Sequence, residues 1–214
     1  MPSVLKDPAS GLSHLAGAVL SVLGLVALLR VGIANHDTWQ IVSFAIFGGS
    51  LILLYSASAT YHLLSVSVRA EVVLRKLDHI MIFVLIAGTY TPVCLIALRG
   101  PAGYAMLAVV WSLAVAGVFF KVFCLNAPRW AYTGVYLLMG WMSLFIIVPL
   151  ARAVGLRTLL WLLIGGVFYS LGAVIYGLKK PNLIPRWLGF HEIFHLFIIL
   201  GSLSHFYFVY LLAQ

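Results

Sequence analysis

Charge is scarce in this chain. Only 8% of its 214 residues are charged, and five are Asp or Glu, which excludes an ordinary soluble domain, where about a quarter of residues carry charge. Cysteine is scarcer still. Cys94 and Cys124 are too few for a disulfide framework or a Cys-based metal site. They fall near opposite ends of neighbouring apolar spans, so no disulfide between them is expected and both read as small buried apolar residues. Strand-like alternation is missing, which argues against a transmembrane barrel. There is no internal repeat, no low-complexity segment, and no basic stripe of the kind that nucleic-acid binding requires.

What remains is hydrophobic: 64% of residues, with a mean hydropathy of +1.12. Apolar runs near 20 residues recur, each long enough to cross a hydrocarbon core of about 30 Å as a helix. Reading them between charged or Pro/Gly-bearing breaks gives seven spans, near 11–34, 40–64, 78–99, 104–125, 131–151, 157–178 and 190–212. The connections "NHDTW", "RGPAG" and "LNAPRW" leave no room for a soluble domain, so the expectation is one all-α integral membrane bundle over 1–214. The first span begins too late and runs too long for a cleaved signal peptide.

Basic residues set the orientation. Lys6, Arg69, Arg75, Lys76, Lys121, Arg129, Lys179, Lys180 and Arg186 fall on one side; Arg30, Arg99, Arg152 and Arg157 fall on the other. The positive-inside rule then puts the N-terminus in the cytoplasm and the C-terminus outside, opposite to a G-protein-coupled receptor. The net charge of +8 is accounted for by loops facing anionic lipid headgroups of a cell membrane.

Ionisable groups inside a bilayer are costly and mark function by default. "SATYH" closes the second span with Ser58 and His62, four apart and on one helix face. "KLDH" opens the third with Asp78. "HEIFH" opens the seventh with His191 and His195, again four apart. The topology, drawn from lysines and arginines alone, brings all five to one depth at the cytoplasmic side. Three imidazoles at one depth suit tetrahedral zinc with a fourth position left open, as catalytic sites have it. Asp78 could then hold or deprotonate an attacking water, and Ser58 could hydrogen-bond a ligand group or an acyl carbonyl.

"HEIFH" also spells the H-E-x-x-H signature of zinc proteases, whose glutamate is a general base. An intramembrane metalloprotease is therefore one alternative. Its third ligand usually lies downstream, yet the only downstream histidine, His205, lies roughly 15 Å along a continuous helix from His195. Glu192 sits about 100° around the helix from His191 and can face headgroups or Arg186. His62 is the better third ligand.

Together "SATYH", "LDH", "AGTYTP" and the H-x-x-x-H of the last span resemble the progestin and adipoQ receptor family, specifically its bacterial haemolysin III branch, over essentially the whole chain. The resemblance implies seven helices with a cytoplasmic N-terminus, zinc held by His62, His191 and His195, and Ser58 and Asp78 lining the same site. The wider superfamily is similar to alkaline ceramidases, which implies a zinc-dependent hydrolase of lipid amide or acyl bonds acting in membrane lipid homeostasis. Membrane lipids, a ceramide-like or fatty-acyl molecule among them, are the expected partners.

Plainer explanations stand beside these. A histidine near a helix end is often only hydrogen-bonded at the interface. Asp78 in a first helical turn would complement the macrodipole, and Ser58 could bond its own i−4 carbonyl. His14, His36 and His79 are explained by facing headgroups or an outer loop, and His205 by a hydrogen bond to a neighbouring helix. Pro92 should kink the third span and free a backbone carbonyl. Gly165, Gly166, Ser170 and Gly172 should let helices approach closely, while Trp39, Trp130 and Trp187 read as interfacial anchors. A non-enzymatic sensor or cytolytic protein with a structural zinc is the other competing class.

Overall fold

A computed structural model describes residues 6–123, 128–184 and 188–214; Cys124, Arg186 and Trp187 lie outside them. Every regular element among the described residues is helical. Helix α1 (Pro8–Ala34) starts where Asp7 accepts from the Ser10 N–H and proline occupies its first turn, a position where the missing N–H costs nothing. Asp37 caps α2 (Thr38–Leu63) by accepting from Trp39 and Gln40, and Ser67 caps α3 (Val68–Pro92) through Ala70.

The third helix begins ten residues before the expected 78. A hydropathy reading stops at Arg69, Glu71, Arg75 and Lys76, but solvated charges do not break a helix that Ser67 has already started. Beyond Pro92 the backbone continues as a π-helical turn, Val93–Ala97, the local widening expected where proline removes a helical hydrogen bond.

Helix α4 (Pro101–Phe123) precedes α5 (Arg129–Trp141), a 3₁₀ turn at Met142–Ile146 and α6 (Ile147–Leu178). The expected break at 152–156 is not a loop. Gly155 alone leaves helical geometry there, at φ 75° and ψ 159°, a conformation that glycine reaches without a Cβ penalty. The chain reverses around it: Trp141 Nε1 donates to Ser170 Oγ at 2.9 Å across 29 residues, which would lie roughly 43 Å apart on a straight helix. Helix α7 (Phe190–Leu211) closes the chain.

Six helical runs are long and apolar enough to cross a membrane, Arg129–Leu178 counting as one of 50 residues. Helix α1 packs on α2 and α7, α2 on α3, α3 on α5, α5 on α6, and α6 on α7, so the bundle forms a ring with α4 flanking α3. Phe44, Phe47, Phe83 and Phe208 fill its interior, while Leu23, Leu138, Phe145 and Leu156 face outward. Such an apolar exterior is stable only in lipid. With no hydrophobic drive between helices there, close packing holds them together. Gly165 shows how: a Cβ there would collide with the His205 ring, whose Nε2 meets the Leu162 carbonyl at 3.1 Å and ties α7 to α6. That bond accounts for His205 as expected.

Candidate functional site

His62 lies in the last turn of α2, where carbonyls lack helical partners. The segment leading into α1 straps across this end. Asp7 N–H donates to the His62 carbonyl at 2.9 Å, and Lys6 N–H to that of Leu63 at 3.4 Å. An ion pair of 2.7 Å from Lys6 to Glu71 extends the strap to α3. The same placement puts Asp7 Oδ2 3.0 Å from His62 Nδ1. Burial works to raise the Asp7 pKa, yet hydrogen bonds from His62 and Ser10 outweigh it and hold the carboxyl below its ordinary value. A proton on Nδ1, bonded to that carboxylate, leaves the Nε2 lone pair free to bind a ligand.

His62 Nε2 lies 3.4 Å from His191 Nε2. In tetrahedral zinc coordination two imidazole nitrogens sit roughly 3.3 Å apart, so this pair already spans one edge of such a site. His195, one turn further along α7, brings its ring centroid within 4.7 Å of both others. One nitrogen from each of the three lies within 4.8 Å of the others. His62 and His195 are buried, and His191 is half-buried. The donor set, all imidazole and with two of its three members buried, fits a divalent metal ion; no carboxylate joins it among the described residues.

Ser58 and Asp78 both line the same cavity of about 550 Å³ as the three histidines. That volume is within the range that takes a small-molecule ligand. Asp78 sits about three turns into α3, so the first-turn explanation for its acidity does not apply. Glu192 turns away: its Oε2 accepts from the Gly189 N–H at 2.7 Å, tying off the start of α7 as one half of a capping box. The carboxylate that a zinc protease would need as its base is thus engaged in holding the helix end.

Two histidines depart from expectation. His14 does not face headgroups; it is 3% exposed, with its ring 3.9 Å from that of His195 and edge-on to Tyr55. Neither of its nitrogens has a hydrogen-bond partner among the described residues. His79 is likewise half-buried and lines the cavity, with its carbonyl accepting from Tyr136 at 3.1 Å. The face of α1 turned inward is a stripe of small and polar residues, Ser10, His14, Gly17 and Ser21, spaced three or four apart, a signal that hydropathy alone passes over. His36 is exposed as expected, and Trp39 and Trp130 are exposed near helix ends, Trp39 beneath Arg99. Asp7 was missed altogether, because "DP" before a helix already reads as an N-cap and gives no hint of His62.

Membrane-length helices ringed around a buried three-histidine cluster define a multi-pass helical protein of the cell membrane. A family profile described as haemolysin-III related matches residues 3–206, and the chain belongs to that family. It is 37% identical over 207 residues to the hemolysin-3 homolog of Bacillus subtilis (strain 168), covering 97% of this chain and 94% of that one. Identity to hemolysin-3 of Bacillus cereus is 38% over 206 residues, covering 95% and 90%. At 25% identity over 210 residues, covering 96% and 84%, the monocyte to macrophage differentiation factor of Homo sapiens is a more distant relative within the progestin and adipoQ receptor family.

Proposed function

We propose that this protein is a zinc-dependent hydrolase of lipid amide or acyl bonds, ceramidase-like, with its N-terminus in the cytoplasm and its C-terminus outside. The two legs on either side of Gly155 then cross the bilayer separately, giving seven spans; a single crossing by 50 residues would need roughly 75 Å of helix in a core of about 30 Å. One observation carries the reading: three imidazoles from two helices converge beside a ligand-sized cavity, with no carboxylate among their mutually close ligand atoms.

His62, His191 and His195 would hold the ion, with Asp7 fixing the ring of His62. When bound, zinc supplies a Lewis acid that polarises an acyl carbonyl and acidifies water. Asp78 would take the proton from the attacking water and return it to the leaving amine or alkoxide as the acyl C–N or C–O bond breaks. Ser58, lining the same cavity as Asp78, would donate its hydroxyl to that carboxyl or to the substrate carbonyl. A lipid would enter sideways between the helices that line the cavity, so membrane lipids are the substrates proposed. The committed base of the H-E-x-x-H string, Glu192, weighs against a protease.

The test is metal content of detergent-purified protein by mass spectrometry, for wild type and His62→Ala, His191→Ala and His195→Ala, followed by a turnover screen of ceramides and other acyl lipids. Stoichiometric zinc lost in all three variants, with turnover lost in Asp78→Asn, is the expected result. Well-folded wild type without zinc would overturn the metal site; zinc without turnover of any acyl lipid would overturn the hydrolase.

One observation favours a second reading, a non-enzymatic sensor with a structural ion. Helices α2 and α7 make little backbone contact compared with their other neighbours, so an ion between His62 and the α7 pair would staple them. Full turnover by metal-loaded protein excludes that reading.

A further inference from the structure

The described residues include all five Asp and Glu residues, and four of the five are engaged away from the cavity's cations. Asp7 holds His62 and caps α1, Asp37 caps α2, Glu71 pairs with Lys6, and Glu192 caps α7. Only Asp78 is left at the cavity. Against it stand Arg75 on α3, Lys121 in the last turn of α4 and Arg129 at the start of α5, all lining the cavity that holds the histidines. None of these three is in an ion pair among the described residues.

Lys121 is the telling one. It is 7% exposed, and its ammonium lies 3.8 Å from the centre of the Tyr132 ring. An aromatic face compensates only part of what a desolvated ammonium loses. The Arg129 guanidinium likewise sits over Tyr176, at 5.4 Å. Arg75 and Arg129 are exposed and Lys121 is buried, so the three reach from the surface into the cavity. Deeper in, the same cavity is walled by Ile82, Leu85, Ile86, Leu163 and Phe194, which suit an acyl chain.

We propose that Arg75, Lys121 and Arg129 form a subsite for the phosphate of an anionic membrane lipid, whose acyl chain enters the apolar part of the cavity beside the histidines. Guanidinium forks and a buried ammonium are the side chains that recognise phosphate oxygens, and basic pockets between membrane helices bind lipid headgroups. This deepens the lipid reading of the cavity, and it rests on that reading without depending on metal or on hydrolysis.

The experiment is native mass spectrometry of detergent-purified, chelator-treated protein titrated with dioctanoyl phosphatidic acid, with dioctanoylglycerol, and with inorganic phosphate. Phosphatidic acid should bind one to one, at least about tenfold tighter than the neutral lipid of the same chains, and Lys121→Met and Arg75→Gln should each weaken it about tenfold. Arg30→Gln, at the other end of α1, should not. Arg75 is exposed, so its variant keeps the test open if Lys121→Met fails to fold. Equal binding of dioctanoylglycerol, or undiminished binding by both folded variants, would overturn the subsite. Displacement of the lipid by an equal concentration of inorganic phosphate would reassign it to a soluble anion. Because no turnover is read, a failure here is distinct from a failure of the hydrolase reading.

Discussion

The contact of Asp7 with His62 can be tested directly. Asp7→Asn keeps an N-cap oxygen for Ser10 and a neutral acceptor for His62 Nδ1, now 3.0 Å away, but removes the negative charge. Charge-assisted bonds are about twice as strong as neutral ones, and loss of a carboxylate behind a ligating histidine lowers metal affinity by about 10–100-fold, or about 1.4–2.7 kcal/mol. Asp7→Asn should fall near the lower end. Asp7→Ala should fall near the upper end, and should also lose about 1 kcal/mol of helix-cap stability. The two effects separate experimentally: zinc affinity is read by competition with a chromogenic chelator, and the cap by the thermal midpoint of metal-free protein. The strap itself stays, because its backbone bonds to His62 and Leu63 do not involve the side chain. Unchanged zinc affinity in folded Asp7→Ala would refute the role of Asp7 in holding His62.

Other residues give sharper or simpler tests. His14→Leu nearly conserves volume and removes two buried nitrogens that lack partners, each costing about 1–3 kcal/mol; the thermal midpoint should rise with zinc content unchanged, whereas loss of zinc would make His14 part of the metal site. Gly165→Val would drive a side chain into the His205 ring and should cost about 1–3 kcal/mol, seen as a lower midpoint; an unchanged midpoint would remove His205 from the α6–α7 contact. Gly155→Ala forces a Cβ onto a φ of 75° and should cost about 1 kcal/mol, again read by melting. Ser58→Ala should retain zinc while slowing turnover.

That the three histidines, Ser58 and Asp78 come together at one cavity was legible, because their spacing fixes a helix face and their places near span ends fix a depth. Neither signal needs a tertiary contact. The start of α3 was not, since a hydropathy scan stops at Arg69 and Arg75 while a capped helix passes through them. The reversal at Gly155 was legible only as a gap between two apolar runs, because glycine can be helical or not until packing, here Trp141 against Ser170, decides. Asp7 was hidden because a residue with a local explanation, such as an N-cap, gives no sign of a second one. His14 was readable only from the spacing of Ser10, His14, Gly17 and Ser21 along α1, a stripe of small and polar residues that hydropathy passes over.

The site is assembled from the two ends of the chain, and that bears on what the metal contributes to folding. Bringing His62 to His191 closes a loop of 129 residues, a cost of about 4 kcal/mol for a free chain. In a zinc finger the ion alone offsets such a cost, so the metal-free form is unfolded. Here the closure has other supports: α7 packs along both α6 and α1, and the Ser202 hydroxyl joins Tyr55 of α2 at 2.7 Å to Tyr169 of α6 at 2.8 Å. The histidines are therefore held together before any ion arrives. An ion entering a preformed site adds only its own binding term, RT ln(1 + [L]/Kd), to stability. Chelation should accordingly lower the thermal midpoint by an amount that follows free zinc concentration while leaving the metal-free protein folded and helical. A metal-free protein that loses its helical fold would show instead that the ring is closed by the ion.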